Sequence, residues 1–233
     1  MKSFFIALML FIVCASFTKL LQQKGSLYPA IDTYFNKAKK DFDKIPADRK
    51  EQLQKIAAYI KTSIDKNKKV NLIFICTHNS RRSQMGQILG FAAAEYYGIK
   101  GVQCFSGGLE ITAFNPRAVN ALKNAGFIIT KKTDSANSIY ETKYGENLLP
   151  IVSFSKKYMD APNPTSGFAA IMTCSHADAS CPMVKGADTK IAIPYEDPKI
   201  SDGKPEETAV YEERCKQIAT ELLYTFSLVK GNQ

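Results

Sequence analysis

The chain lacks the sequence features of a disulfide-stabilised scaffold and of a nucleic-acid-binding domain. Its 233 residues include six cysteines, and the five that remain if Cys14 is removed with an N-terminal segment are an odd number, which does not suit a disulfide framework. There is also no zinc finger, aromatic RNA-binding motif or helix-turn-helix pattern. The net charge of +9 therefore predicts anionic partners other than nucleic acid.

The N-terminal apolar run is shorter than a typical membrane-spanning helix. Lys2 precedes a nearly unbroken apolar stretch from Phe4 to Phe17, and Cys14, Ala15 and Ser16 offer small residues for cleavage. This layout is typical of a secretory signal peptide. We predict that residues 1–18 form a signal peptide or a membrane anchor, and that the protein is exported, either periplasmic or membrane-anchored. A cytoplasmic location is the alternative, and the anchor is the only membrane contact we predict.

From Val70 onwards, strand patterns alternate with helical patterns. Apolar runs predict four strands, at Val70–Cys76, Val102–Ser106, Phe168–Cys174 and Lys190–Ile193. Such alternation implies a parallel sheet covered by helices on both faces. We predict an α/β fold with a four-stranded parallel sheet over residues 70–230, preceded by a helical N-terminal extension at 19–69.

Two segments outside the alternating pattern give further expectations. Helical spacing between Ile31 and Lys66 predicts two helices, and Asp48 with Glu51 predicts a capping box at the start of the second. Residues 133–167 are interpreted as an insertion near the site, with a strand at Leu148–Phe154. This insertion is either a wall or lid of the site or a purely structural element.

The segment from Cys76 to Ser83 lies where the first predicted strand ends and a helix begins. A cysteine, five residues and an arginine at such a junction are typical of a loop that wraps a tetrahedral oxyanion. The N-terminus of the following helix attracts anions, and it also favours the thiolate form of a nearby cysteine. We predict that Cys76 is a nucleophile and that the Arg82 fork holds two anion oxygens. The predicted oxyanion-binding set is Thr77, His78, Asn79, Ser80, Arg81, Arg82 and Ser83.

A thiolate that attacks phosphorus or arsenic needs an acid to protonate the departing oxygen. The best candidate is Asp197, which follows the fourth predicted strand and therefore lies at the same sheet edge as Cys76. Glu196 is the second choice. An aspartate before a proline is also an ordinary turn signal.

Cys174 and Cys181 frame a segment that follows the third predicted strand. Cys174 would approach Cys76 across neighbouring strand ends, and Cys181 would follow on a pliable segment, which together make a thiol–disulfide relay. A metal site formed with His176 and Asp178 is an alternative, although the spacing matches no common zinc pattern. A purely structural loop is the third interpretation.

Residues 70–226 resemble the low-molecular-weight tyrosine phosphatase family, and specifically its thioredoxin-coupled arsenate reductase branch. Residues 76–85 resemble the family's catalytic loop, Glu196 to Pro198 its general-acid loop, and the pair Cys174 and Cys181 the redox pair that plain phosphatases lack. The resemblance implies a phosphatase-like catalytic domain at 70–230. It also implies an arsenate or phosphate-type substrate, an external thioredoxin-like reductant and no bound cofactor or metal.

The chain departs from the family pattern at a few positions. His78 stands where a glycine is common, and Arg81 where a cysteine is frequent. The family's potassium-binding site is matched at Asn79 and Ser106, but Gln87 stands where an acid is expected, so we predict no potassium requirement.

Three functions fit these residues. The first is arsenate reduction through Cys76, Arg82 and Asp197 with a Cys174/Cys181 disulfide relay. The alternative is a low-molecular-weight protein tyrosine phosphatase, which hydrolyses phosphomonoesters through a phosphocysteine. A third is an exported module that binds an oxyanion or senses redox state without turnover.

Overall fold

The computed structural model describes residues 26–231. The predicted signal peptide or anchor at residues 1–18, and the export that it implies, lie outside the described residues. Among residues 26–231, none of the helices has the length and apolar character needed to cross a membrane.

The described chain contains nine strands and six α-helices. The strands are β1 (Ser26–Leu27), β2 (Val70–Cys76), β3 (Val102–Gly108), β4 (Ile128–Lys131), β5 (Tyr140–Lys143), β6 (Gly145–Glu146), β7 (Ile151–Ser153), β8 (Phe168–Met172) and β9 (Ala187–Ala192). The helices are α1 (Pro29–Lys39), α2 (Ala47–Asp65), α3 (Arg82–Tyr96), α4 (Pro116–Asn124), α5 (Ser175–Ser180) and α6 (Glu207–Lys230).

The predicted α/β fold is confirmed, because the central sheet has four parallel strands in the order β3-β2-β8-β9. Side chains of β2 alternate between the two faces, as the pleat requires. Leu72 and Phe74 join the large core beneath α2, α3 and α6, whereas Ile73 and Ile75 join a smaller cluster beneath α5. The carboxyl ends of β2 and β8 meet at one sheet edge, which is where ligands bind in such folds.

Helix α3 approaches the sheet unusually closely, and two glycines permit this. A Cβ atom at Gly86 would lie 2.6 Å from Cδ1 of Phe74, and one at Gly90 would lie 2.9 Å from the sulfur of Cys104. The two positions are one helical turn apart and share one face. This contact fixes the position of the helix whose first residue is Arg82.

The N-terminal extension packs into the same core as the rest of the chain. Ile31 and Phe35 of α1 and Ile56 of α2 are fully buried within the large cluster. The two predicted helices are therefore present, but the predicted capping box is wrong. Helix α2 begins at Ala47 behind Pro46 with no side-chain cap, since the fixed φ of proline suits a helix start and places Asp48 inside the first turn.

Residues 128–153 form a three-stranded antiparallel sheet in the order β4-β5-β7, which the sequence analysis did not predict. The predicted strand at Leu148–Phe154 is present as the shorter β7. The chain then continues past β7 to the loop at residues 76–83, where the hydroxyl group of Ser155 donates to the carbonyl oxygen of His78. The insertion therefore contributes a wall to the candidate site.

Candidate active site

The loop from Thr77 to Arg81 turns its carbonyl groups outward into the surrounding scaffold. Each of the five carbonyl oxygens accepts a hydrogen bond at 2.8–3.1 Å. The donors are the backbone N–H groups of Leu109, Glu110, Asn115 and Met85 and the side chains of Thr112, Ser155 and Gln84. Within residues 26–231, by contrast, no backbone N–H of residues 77–82 donates to another group. A ring of outward carbonyls leaves inward N–H groups, which is the arrangement that binds an anion.

Cys76 is buried, and its sulfur lies 3.1 Å from the hydroxyl oxygen of Ser83. Asn79 donates to the same hydroxyl at 2.9 Å. Its other amide atom accepts from the backbone N–H of Lys156, which identifies that atom as the oxygen. Because the Ser83 oxygen accepts from Asn79, its single hydrogen is available to the sulfur of Cys76. Asn79 itself adopts φ +45°, a left-handed conformation that asparagine tolerates well.

Arg82 joins the loop to Asp197. One terminal nitrogen donates to the carbonyl of Tyr195 at 2.8 Å, and the other lies 2.6 Å from Oδ2 of Asp197. The Nε atom of Arg82 is buried and has no partner within the described residues. Asp197 also caps the short 3₁₀ helix Pro198–Ser201 by accepting from the N–H of Lys199. Glu196, the second choice for the acid, is exposed to solvent.

Arg81 and His78 make contacts at the outer side of the loop. Nε of Arg81 donates to the hydroxyl of Tyr211 at 2.7 Å, and its Nη2 lies 3.2 Å from Asp202. The Tyr211 hydroxyl in turn donates to Asp202. Burial, together with this bond, raises the pKa of Tyr211 to about 12. His78 pairs with Glu110 at 3.4 Å. The sequence analysis missed Tyr211 and Asp202, which lie far along the chain and have no local signal.

Cys174 lies two residues after the end of β8 and immediately before α5. Its side chain caps this helix by accepting from the N–H of Ala177 at 3.4 Å. Ile75 pairs with Met172, so Cys174 lies beside Thr77, and their side chains are 3.5 Å apart. Cys76 and Cys174 lie in one small apolar cluster, against which the partly buried Cys181 packs. The segment between Cys174 and Cys181 forms the short helix α5, which the sequence analysis did not predict.

Cys104 and Cys215 lie away from this site. Among residues 26–231 there is no group of three or more His, Cys, Asp or Glu side chains suited to hold a metal ion. Cys104 and Cys215 are completely buried in the large core, and burial raises the pKa of both thiols. A thiol of this kind is inert.

A buried lysine lies behind the loop, where the sequence analysis found a partial match to a potassium site. Nζ of Lys156 is 3.5 Å from Oγ of Ser106 and 4.7 Å from the centre of the Phe154 ring. The Ser106 hydroxyl lies 2.7 Å from an amide oxygen of Gln87. The positive charge of the Lys156 ammonium group would repel a potassium ion bound at Ser106, so these residues do not fit that ion. Burial lowers the pKa of Lys156 to about 8.

The comparisons with known proteins agree with this geometry. The sequence profile described as low molecular weight phosphotyrosine protein phosphatase matches residues 71–152. Arsenate reductase 2 of Staphylococcus epidermidis is 30% identical over 141 residues, which are 59% of this chain and 82% of that protein. Arsenate reductase of Brevibacillus brevis is 29% identical over 132 residues, or 57% of this chain and 78% of that protein.

A similar solved structure is the low molecular weight protein tyrosine phosphatase from T. tengcongensis, with a TM-score of 0.46 and 18% sequence identity. The match covers 68% of this chain and 98% of that one. The sequence matches decide the assignment, because the staphylococcal relative is aligned over most of its own length. The chain belongs to the family of low molecular weight protein tyrosine phosphatases and arsenate reductases, and it is an enzyme.

Proposed function

We propose that the protein reduces arsenate to arsenite through a Cys76 thiolate and a Cys174/Cys181 disulfide relay. One observation carries the proposal: Cys76, Cys174 and Cys181 meet in a single small apolar cluster at the sheet edge that also holds the oxyanion loop. A phosphatase has no need for two further thiols at this place.

In the first step, arsenate enters the loop at residues 77–82 and the Cys76 thiolate attacks arsenic. The ion pair between Arg82 and Asp197 opens, so that the guanidinium, including its unpartnered Nε, holds the anion. The freed carboxylate of Asp197 takes up a proton from the incoming hydrogen arsenate and passes it to the departing hydroxide, which leaves as water. A sulfur–arsenic bond has then replaced one arsenic–oxygen bond.

In the second step, the sulfur of Cys174 loses its proton and attacks the sulfur of Cys76. A Cys76–Cys174 disulfide forms while the sulfur–arsenic bond breaks, and its electron pair stays on arsenic. Arsenic is thereby reduced from the pentavalent to the trivalent state and leaves as arsenite, and the two thiols are oxidised. Thr77 holds Cys174 beside the loop for this attack.

In the third step, Cys181 attacks Cys174 and releases the Cys76 thiolate. A helical path between the two residues separates their Cα atoms by about 10 Å, at about 1.5 Å per residue, whereas a disulfide requires less than about 7 Å. Helix α5 must therefore unwind. It has only six residues, and few backbone hydrogen bonds oppose this change.

The relay ends in a Cys174–Cys181 disulfide that an external dithiol protein of the thioredoxin type must reduce. Cys181 is the only one of the three thiols that is partly exposed, so it is the accessible end of the relay. No bound cofactor is needed, because both electrons come from thiols. We extend the proposal to an exported enzyme, which the N-terminal sequence favours.

Intact mass of the trapped intermediate tests the proposal. Protein that receives arsenate without reductant is expected to lose about 2 Da, and peptide mapping should place the new disulfide at Cys174–Cys181. In Cys181→Ser, the disulfide should instead be trapped at Cys76–Cys174 and turnover should stop after one cycle. Many turnovers by Cys181→Ser with a thioredoxin-type reductant would show that the relay is wrong.

Phosphomonoester hydrolysis is the second candidate function. The observation that favours it is the direct contact between Arg82 and Asp197 beside Cys76, because those three residues suffice for a phosphocysteine mechanism. Hydrolysis of an aryl phosphate at full rate by Cys174→Ala, without arsenate reduction by the unaltered protein, would favour this function over the first.

A further inference from the structure

The hydroxyl group of Thr77 connects the resolving cysteine to a histidine. Its oxygen lies 3.5 Å from the sulfur of Cys174 and 3.1 Å from Nδ1 of His176. The backbone of Thr77 is held in place, since its carbonyl accepts from the N–H groups of Leu109 and Glu110 at 2.8 and 2.9 Å. The three polar atoms therefore form a short path from a buried sulfur to an exposed imidazole.

This path suits the transfer of a proton in one direction. A threonine hydroxyl has one hydrogen to donate and two lone pairs to accept with. With a neutral thiol, the hydroxyl accepts from Cys174 and donates to Nδ1 of His176. With a thiolate and an imidazolium, both hydrogen bonds reverse and the distances stay suitable. The same geometry therefore serves the states before and after the transfer.

Cys174 needs such a path because it is buried. Its side chain is 2% exposed, so water has little access to the sulfur to accept its proton. Among residues 26–231, its sulfur has only Thr77 and the N–H of Ala177 as recorded partners, and neither is a base. The nearby Asp178 of α5 forms an ion pair at 2.7 Å with Lys190 of β9.

We propose that His176, acting through Thr77, accepts the proton of the Cys174 thiol when this thiol attacks Cys76. The sulfur–sulfur bond forms, the sulfur–arsenic bond breaks with its electron pair on arsenic, and the proton passes from Cys174 to Thr77 while the Thr77 proton passes to His176. The exposed imidazolium then releases it to solvent. His176 is a positioning residue of the second step, and this inference rests on the proposed arsenate reduction.

Single-turnover release of arsenite from His176 variants tests the inference. His176→Ala should slow the release about 10²-fold, the usual contribution of a general base. His176→Asn keeps an acceptor for the Thr77 hydroxyl but is not a base, and it should be equally slow. Added imidazole should restore much of the rate in His176→Ala, because the vacated position is exposed, but not in His176→Asn.

Ser175→Ala is the matched control, since Ser175 is exposed on the same helix and adjacent in sequence. It should release arsenite at the unaltered rate, and thermal denaturation should confirm that each variant is folded. A full rate in His176→Asn, or a slow His176→Ala that imidazole does not restore, would overturn the proton-accepting role. If the unaltered protein releases no arsenite at all, the proposed function fails instead.

Discussion

The oxyanion loop and the segment from Cys174 to Cys181 lie at the same sheet edge, but they are held very differently. Every carbonyl of residues 77–81 accepts a hydrogen bond from the scaffold, namely from the segment after β3, from the wall after β7 or from α3. Helix α5, by contrast, is six residues long and is capped by a cysteine sulfur rather than an oxygen. One region is rigid and the other is weakly held.

The difference follows the chemistry that we propose for each region. A loop that stabilises developing charge works best when its donors are placed before the substrate arrives, since no free energy is then spent on ordering them. A resolving cysteine must instead reach two sulfurs in turn, and a short helix allows this at low cost. Rigidity at Cys76 and mobility at Cys181 are therefore complementary.

The largest expected effect comes from the nucleophile. Cys76→Ser should lower both arsenate reduction and aryl phosphate hydrolysis by roughly 10⁴-fold or more, because each reaction begins with this thiolate. Cys174→Ser should lower only arsenate reduction to that extent. Parallel steady-state assays on both substrates separate the two regions, and an equal loss of both activities in Cys174→Ser would contradict the comparison.

Within the loop, the hydroxyl group of Ser83 should matter next. A hydrogen bond to a charged acceptor contributes about 1.5–3 kcal/mol, so Ser83→Ala should lower the rate at which iodoacetamide alkylates Cys76 at pH 7 by about 10- to 100-fold. The measurement uses a background of Cys174→Ser and Cys181→Ser so that one reactive thiol remains near the site. An unchanged rate would mean that the 3.1 Å contact does not stabilise the thiolate.

Behind the loop, Lys156 should reduce the stability of the fold. Its pKa is lowered to about 8 by burial, whereas an unfolded lysine titrates near 10.4. Between these values the unfolded chain binds more protons, so the free energy of unfolding rises with pH. Lys156→Met should therefore be more stable than the unaltered protein at pH 7 by about 1–2 kcal/mol.

Urea denaturation at pH 7 and pH 10 measures this effect. The advantage of Lys156→Met should shrink at pH 10, where Lys156 is neutral in the folded protein. The neighbouring Lys157 is exposed, so Lys157→Met is the matched control and should change the stability by less than about 0.5 kcal/mol at either pH. A variant at Lys156 that is less stable at pH 7 would show that its polar contacts outweigh the cost of burial.

Sequence alone predicted the central sheet because each of its strands is recognisable from its own residues. The run Val70–Cys76 is apolar except at Asn71, and it matches β2 residue for residue. The strands Ile128–Lys131 and Tyr140–Lys143 are short and partly exposed, and only their pairing with each other makes them a sheet. Local patterns cannot show such non-local pairing.

In the candidate site, too, contacts that are local in the sequence were predicted and those between distant residues were not. The spacing of Cys76 and Arg82 along one loop predicted their proximity, which the strand–helix junction enforces. The direction of the Arg81 side chain and the burial of Lys156 depend on Tyr211 and on Ser106, which are distant in sequence. The helical form of α5 was not predicted, because small polar residues suit both a loop and a short capped helix.

The smallest expected effect concerns the unwinding of α5. Ala179 is exposed within this helix, and glycine there weakens the helix by about 1 kcal/mol, which raises the population of the unwound form about fivefold. Because Cys181 reaches Cys174 only after unwinding, Ala179→Gly should speed the appearance of the Cys174–Cys181 disulfide by up to that factor. Rapid quenching with an alkylating agent and peptide mapping follow this disulfide after one equivalent of arsenate.

Ala58→Gly is the matched control, since Ala58 is an exposed helical alanine in α2, outside the site. It should leave the rate of disulfide exchange unchanged. An equal rate in Ala179→Gly and the unaltered protein would mean that the two cysteines meet without unwinding. In that case the contrast between a rigid loop and a weakly held resolving segment would describe only the resting state, and the third step would need another route.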